Sequence, residues 1–349
     1  MSGSFTPDVG MPPPPLVCPI HRVFCDGWDV ISTPMPSRTI LALIFAILLT
    51  PSLPAQTTPV RPHITGISHV AFYVTDMPQA LLFWHDLLGF DLSYDRKKPN
   101  STDTSVAFLK VNDHQYVELL SDPPPNTRNF LSHICFLTDD LEAMRLYLAS
   151  KNIEVPAHSS RTRTGDLVFT IHDPDGTALE FSQPQPASVE AQGAGQYLPS
   201  TRISQHIMHA GFVVLDTERA LDFYSQVLGF HETWRGGGPP VLSWINMQLA
   251  DSPDYVEFML HSQQPASLGS DNHVALEVPS LAAAVTALQA RPAFKAYTKP
   301  LTPHVGKNGK RQLNLFDPDG TRVELMEPST ADGKPVPSST APPPPAAHE

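Results

Sequence analysis

The stretch Asp317-Pro318-Asp319-Gly320-Thr321-Arg322-Val323-Glu324-Leu325-Met326 repeats a pattern already written at Asp173-Pro174-Asp175-Gly176-Thr177-Ala178-Leu179-Glu180-Phe181. In each copy an alternating apolar run (Val168 and Thr170 in one, Leu313 and Leu315 in the other) enters a Pro-Asp-Gly turn and leaves as a second strand, the pattern of a β-hairpin. Each returning strand carries one carboxylate between apolar neighbours: Glu180 between Leu179 and Phe181, Glu324 between Val323 and Leu325. Successive side chains on a strand face opposite ways, so the glutamate looks to one side of the sheet and both neighbours to the other.

The hairpin closes a longer unit, of roughly sixty to seventy residues, that recurs four times from Ile67 onward. The units open on short strands that carry a histidine at their start: His69-Val-Ala-Phe-Tyr-Val, His133-Ile-Cys-Phe-Leu, His209-Ala-Gly-Phe-Val-Val and His273-Val-Ala-Leu-Glu-Val. Helices follow at Pro78 to Leu88, Leu141 to Ser150, Glu218 to Leu228 and Leu281 to Ala290. Asp76 and Asp216 suit N-caps, Gly89 and Gly229 suit the residue after a helix end, and Leu81, Leu82, Trp84 and Leu88 give the first helix an apolar face. The last strands read Tyr116-Val-Glu118-Leu, Ala178-Leu-Glu180-Phe, Tyr255-Val-Glu257-Phe and Arg322-Val-Glu324-Leu. Each unit is therefore βαβββ.

Histidine and glutamate keep step through the repeats. His69 and His133 are 64 positions apart, as are His209 and His273, and His69 precedes Glu118 by 49 positions where His209 precedes Glu257 by 48. Val70, Phe72 and Val74 share the face opposite His69, and Val117 and Leu119 the face opposite Glu118, so a helix covering the apolar face leaves His and Glu on the other side. Two units side by side would bring two imidazoles and two carboxylates together. Such a set suits zinc, nickel, cobalt, iron or manganese, and two carboxylates would neutralise a divalent ion. A single strand-borne Glu or His is ordinarily only solvated; four recurrences of the same pair point to ligation. His206 competes with His209, and the match of Ile207-Met-His209 to Ile67-Ser-His69 favours His209.

Four βαβββ units opening on His-Val-Ala-Phe, helices ending Leu-Gly-Phe and the Asp-Pro-Asp-Gly...Glu hairpin resemble the vicinal oxygen chelate (VOC) superfamily, over residues 65 to 328. That superfamily includes glyoxalase I, extradiol dioxygenases and bleomycin resistance proteins. The resemblance implies an α+β fold of four modules paired into two glyoxalase-like VOC domains, residues 65–185 and 204–328, joined by a linker at 186–203. It also implies two metal sites: His69, Glu118, His133 and Glu180 in one, His209, Glu257, His273 and Glu324 in the other. The set His, Glu, His, Glu is similar to that of glyoxalase I (lactoylglutathione lyase), which implies a lyase or isomerase using proton transfer, with Glu180 and Glu324 as bases. The alternatives are a ring-cleaving dioxygenase, which needs iron(II) and positions open to O2, and a non-catalytic protein that binds or sequesters a small molecule.

Charge and composition narrow the partners. A net charge of -12 and the absence of a long Lys/Arg cluster argue against nucleic acid and leave a small-molecule substrate as the expected partner. With both module pairs in one chain, a monomer suffices to build the sites. Cations at Arg161 and Arg163, and at Lys307, Lys310 and Arg311, occupy matching loops and suit either an anionic substrate or plain solvation; His158 and His304 lie in the same loops. Cys135 reads as a small core residue.

Ile40 to Leu49 is an apolar run of ten, preceded by Arg38 and followed by Pro-Ala55-Gln56. A spanning helix needs about 20 apolar residues, so stable membrane insertion is not expected, and the layout is that of a secretory signal. Residues 1–55 are expected to be an extension and signal peptide with the true start at Met35, leaving a periplasmic or extracellular protein whose mature part keeps Cys135 as its one cysteine. Residues 329–349, rich in Pro, Ser and Ala, are expected to form a disordered tail. Mass spectrometry of the protein from its native host should find a mature N-terminus near Gln56 in the exported fraction; an intact leader in cytosolic extract would contradict the assignment.

Overall fold

The computed structural model describes residues 59–346 apart from 239 and 267; the expected signal segment, with Met35, lies outside the described residues. Four βαβββ modules follow in order. The first holds β1 (Ile64–Val74), α1 (Met77–Leu81), β2 (Leu92–Lys97), β3 (Thr104–Lys110) and β4 (Tyr116–Ser121). The second holds β5 (Leu131–Thr138), α2 (Leu141–Ser150), β6 (Ser160–Arg161), β7 (Leu167–His172) and β8 (Ala178–Gln183). After α3 (Val189–Gln192), the third has β9 (Ile207–Val214), α4 (Thr217–Asp222), β10 (His231–Gly236), β11 (Trp244–Gln248) and β12 (Tyr255–Leu260). The fourth has β13 (His273–Glu277), α5 (Leu281–Ala290), β14 (His304–Val305), β15 (Lys310–Phe316) and β16 (Arg322–Thr330).

The strands form two eight-stranded sheets of the same order, β2-β3-β4-β1-β5-β8-β7-β6 and β10-β11-β12-β9-β13-β16-β15-β14. Within a module the first and last strands pair parallel, β1 with β4 and β9 with β12. Modules join through antiparallel seams, β1 with β5 and β9 with β13. Val70, Phe72, Val74, Val117 and Leu119 are all fully buried beneath the helices, as their period-2 spacing requires, and the apolar side chains of both domains merge into one contiguous core. Phe136 meets Phe230 across the domains with ring centres 5.5 Å apart.

Two local features were not readable from periodicity. Asp76 and Asp216 cap α1 and α4 as expected, accepting from Gln79 N and Arg219 N, but each helix continues as a π turn, Leu82–Leu87 and Phe223–Val227. The wider turn (Leu88 N to Phe83 O, 2.9 Å; Leu228 N to Phe223 O, 3.1 Å) turns Trp84 and Tyr224 fully into the core. Second, β1 starts at Ile64, so His69 is mid-strand rather than strand-initial, because Ile64 to Ile67 extend the pairing with β5 as far as Thr138.

The Asp-Pro-Asp-Gly turns hold the two domains to one another. Asp173 accepts from Asp175 N and Thr177 N within its own turn, and from Tyr224 Oη of the other domain at 3.1 Å. Asp175 accepts from Leu215 N at 2.9 Å, and its counterpart Asp319 accepts from Thr75 N at 2.9 Å. Gly176 and Gly320 close these turns at φ 87° and 88°, the left-handed region. The Pro-rich stretch expected to be a disordered tail lies along the second sheet: Ser339 N donates to Arg235 O, and Pro342 O accepts from Leu242 N, both at 3.0 Å. Proline removes donors but leaves carbonyls free to accept, which is the role Pro342 takes.

His206 sits beside the domain junction, Nε2 2.8 Å from Asp254 and Nδ1 3.0 Å from Glu277, while Asp254 also accepts from Ile67 N of the first domain. Hydrogen bonding to Asp254, opposed by partial burial and helped by Glu277, raises its pKa from 6.5 to about 9. A pKa raised on folding gives stability that is complete below pH 6.5 and lost as pH climbs through 9. Urea titrations should therefore show wild type losing about 1 kcal/mol more than His206→Ala between those limits, a figure reduced from the full linkage value because the pair is partly solvated; equal pH dependence in the two proteins would refute it.

Two candidate metal centres

The sheet register builds each centre from two adjacent rows of side chains on the face away from the helices. In the first domain one row runs Phe108, Glu118, Ala71, His133, and the next runs Tyr116, His69, Cys135, Glu180, Thr170. In the second domain the rows are Asn246, Glu257, Gly211, His273, Arg322 and Tyr255, His209, Ala275, Glu324, Asn314. The eight residues expected as ligands from the repeat spacing thus fall four to each sheet; the second domain's four converge as one group, while in the first His69 is shared between a group with Glu118 and His133 and one with Cys135 and Glu180.

Distances test whether these sets fit an ion. Nε2 atoms of His69 and His133 are 2.9 Å apart, and those of His209 and His273 3.1 Å. Glu118 Oε2 lies 3.5 Å from both His69 and His133, and Glu180 Oε1 3.7 Å from His69. In the second centre Glu324 Oε2 is 3.5 Å from both histidines, and Glu257 Oε2 is 3.5 Å from His273 and 3.9 Å from His209. Two donors held at about 2.1 Å from one ion stand about 3.0 Å apart at right angles and about 3.4 Å apart at the tetrahedral angle, so the spacings suit a shared divalent ion. One ring has a partner that can orient it: His273 Nδ1 is 2.7 Å from the carbonyl of Asp271, and in the tautomer that donates there the Nε2 lone pair faces inward.

Electrostatics separate the centres. Burial, then the charge of Glu180, pushes Glu118 up to about 8, and burial raises Glu180 to about 7 against the thiol of Cys135. Burial lowers His133 to about 4 and holds His69 well below its ordinary range. This domain therefore buries its imidazoles neutral, the form that binds a metal, while its two carboxyls hold protons that a bound cation would displace. In the second centre burial also works against charge, but hydrogen bonds from His209 and His273 and the charge of Arg322 hold Glu324 well below the usual carboxylate range.

Three residues here escaped sequence reasoning. Cys135, read as core, lies in the ligand row with its thiol within 4.8 Å of Glu180 and His69 ligand atoms; its place two residues after His133, on the same strand face, was the available signal. Gly211 is required because a Cβ there would fall 1.9 Å from Cε1 of His273. Arg322, whose Nη2 is 2.6 Å from His273 Nδ1, comes two residues before Glu324 on the same face. The other candidates are not in the centres. His206 pairs with Asp254 and Glu277, and Arg311 with Glu327. Arg161 and His304 lie on the two-residue edge strands β6 and β14, and His158 is exposed.

Comparison with known proteins agrees with this architecture. The profile of the Glyoxalase/Bleomycin resistance protein/Dioxygenase superfamily matches residues 66–181 and again 206–325. The chain belongs to that superfamily, and carries its domain twice. Over 121 residues, 33% of the chain, it is 29% identical to an uncharacterised protein, YaeR, of Escherichia coli K12, of which 93% is covered. Among solved structures, an extradiol ring-cleaving dioxygenase from B. fuscum aligns with a TM-score of 0.60 and 19% identity, over 82% of this chain and 78% of that one. The Mn(II)-bound glyoxalase of Novosphingobium aromaticivorans aligns with a TM-score of 0.59 and 19% identity, over 81% and 88%. At such identities these structures establish the fold alone.

Elemental analysis of purified protein should find up to two divalent ions per chain, with one lost in His133→Ala or His273→Ala. Gly211→Ala should also lose one while leaving the other, since its methyl would displace the His273 ring. Undiminished metal in a variant lacking all four histidines would refute the assignment.

Proposed function

We propose that the protein is a metal-dependent lyase or isomerase of the glyoxalase I type, moving a proton next to a carbonyl in a small substrate that offers two vicinal oxygens. The observation that carries this reading is the second carboxylate in each set. Two imidazoles and one glutamate suffice to hold a divalent ion, so Glu180 and Glu324 are available for proton transfer. A divalent ion held there would polarise the substrate's oxygens and acidify the neighbouring C–H. Glu180 then takes that proton on a carboxylate oxygen and returns it to the adjacent carbon. The proton leaves and returns, so the reaction is a redox-neutral isomerisation or its lyase counterpart. If the protein is exported, as its leader-like segment implies, glutathione adducts would be scarce and another vicinal-oxygen compound would be the substrate.

A second reading, a ring-cleaving dioxygenase, has one observation in its favour. In the first domain His69, Glu118 and His133 form a three-ligand group, and Glu180 joins His69 and Cys135 in a second one. Two histidines and one carboxylate with open positions are the donor set of non-haem iron(II) oxygenases.

Glu180→Gln keeps the shape and removes the base, so turnover of an α-hydroxycarbonyl or hemithioacetal substrate should fall by roughly 10² to 10⁴ with metal content largely retained. Rates should be equal with and without oxygen, and an α-deuterium should exchange or migrate. Oxygen consumption matching substrate loss, with iron(II) as the sole supporting metal, would replace this reading with the dioxygenase. Ligand binding without turnover of any of these compounds, or of a catechol, would leave a binding protein.

A further inference from the structure

The two centres share their ligands but differ in what surrounds them. In the second domain the side chains of His209 and His273 are 0% exposed, Glu257 9% and Glu324 5%. In the first, only His69 is comparably hidden at 4%; Glu118 is 13%, Glu180 16% and His133 17% exposed. The cause is visible in the rows. Tyr116 stacks on His69 and Tyr255 on His209, ring centres 4.5 Å apart in both cases, so one histidine of each centre is covered alike. The other histidine is treated differently. Arg322 lies against the His273 ring, with Nη2 2.6 and 2.9 Å from its nitrogens, whereas the register that pairs Ile134 with Leu179 puts Ala178 beside His133.

The approach along the strands differs in the same sense. In the second domain Val213, Met259 and Leu268 form a buried apolar cluster next to the ligand rows, backed by Leu215 and Trp244. Leu268 is brought there by the loop after β12, which is fastened through Leu268 N to Arg128 O at 3.2 Å and Arg322 N to Gly269 O at 2.9 Å. At the corresponding positions of the first domain Tyr73 and Leu120 remain partly exposed. The second centre also offers four converging ligands within 4.8 Å of one another, while the first splits into two groups of three that share His69, one with Glu118 and His133 and one with Cys135 and Glu180. Closed sites with four protein ligands are the structural kind, and sites with three and an open position are the catalytic kind.

We infer that the two centres have different tasks: the first-domain centre is where substrate reaches the ion, from the less covered side bordered by Ala178, Tyr73 and Leu120, and the second-domain centre holds a sealed divalent ion that fastens β9, β12, β13 and β16. This rests on reading both sets as metal centres. It assigns proton transfer to Glu180, with Glu324 a permanent ligand.

The test uses full-length protein loaded with two equivalents of zinc and challenged with excess 4-(2-pyridylazo)resorcinol, whose absorbance reports each ion removed. Two phases of one equivalent each are expected, separated by at least about tenfold in rate, as an open site and a closed one should be. The fast phase should vanish in the His69→Ala/His133→Ala protein and the slow phase in the His209→Ala/His273→Ala protein. Arg322→Ala, which copies the residue found at position 178, should accelerate the slow phase severalfold and leave the fast one unchanged. If the His209→Ala/His273→Ala protein does not fold, Arg322→Ala decides: acceleration supports the inference, and an unchanged slow phase overturns it. Manganese(II) gives an independent readout, with strong enhancement of water-proton relaxation expected from the first-domain ion and little from the second. Two ions released in a single phase, or a fast phase belonging to the second domain, would overturn this division of labour while leaving the metal reading intact. Failure to retain any ion would overturn both.

Discussion

Everything at the two centres depends on one kind of contact, the antiparallel seam between the first strands of paired modules. The pairing of β1 with β5 sets His69 opposite Cys135 and Ala71 opposite His133, and that of β9 with β13 sets His209 opposite Ala275 and Gly211 opposite His273. Each histidine therefore faces a small residue across the seam, which leaves room for two imidazoles to meet at 2.9 and 3.1 Å. A slip of one residue would turn every ligand to the opposite face. What forbids the slip is the apolar face itself. Val70, Phe72 and Val74 alternate with the ligand positions and are fully buried, so the register that hides them is the register that presents the histidines. Packing energy, not ligand chemistry, fixes the geometry.

The parallel pairs complete the arrangement from the outside. Glu118 reaches the first centre because β4 runs parallel to β1 with Glu118 beside Ala71, and Glu257 and Glu324 arrive in the same way. The duplicated hairpin turns have a separate task. Their aspartates reach across to the opening of the helices of the other domain, at Leu215 and Thr75, and so tie each domain to its neighbour at two related places. Duplication thus made a protein whose halves are bound reciprocally, leaving their centres free to diverge, as Arg322 in one and Ala178 in the other show.

Much of this was legible in the sequence because it repeats. Four histidines and four glutamates at constant intervals outweigh the ambiguity of any one, and a period of two assigns them all to one face. The family and the modular fold follow from the same residues. What was not legible depends on contacts distant in sequence. Nothing local says that Gly211 lies under His273, or that the turn carrying Asp175 touches Leu215. The π turns after α1 and α4 arise from how Trp84 and Tyr224 must be seated, and no periodicity announces them. Cys135 is fully buried, as a small core residue would be, but on the face that carries the ligands, and burial alone does not say which face holds the site.

The central claim is that two imidazoles and glutamate oxygens in each domain surround a divalent ion. X-ray absorption on the zinc- or manganese-loaded protein examines that shell directly. The account predicts nitrogen and oxygen neighbours at about 2.0–2.2 Å, with the outer-shell scattering of two imidazole rings per ion, and loss of that imidazole signal when the four ligand histidines are replaced. A shell of oxygen alone, or the same spectrum from the histidine-free variant, would contradict it.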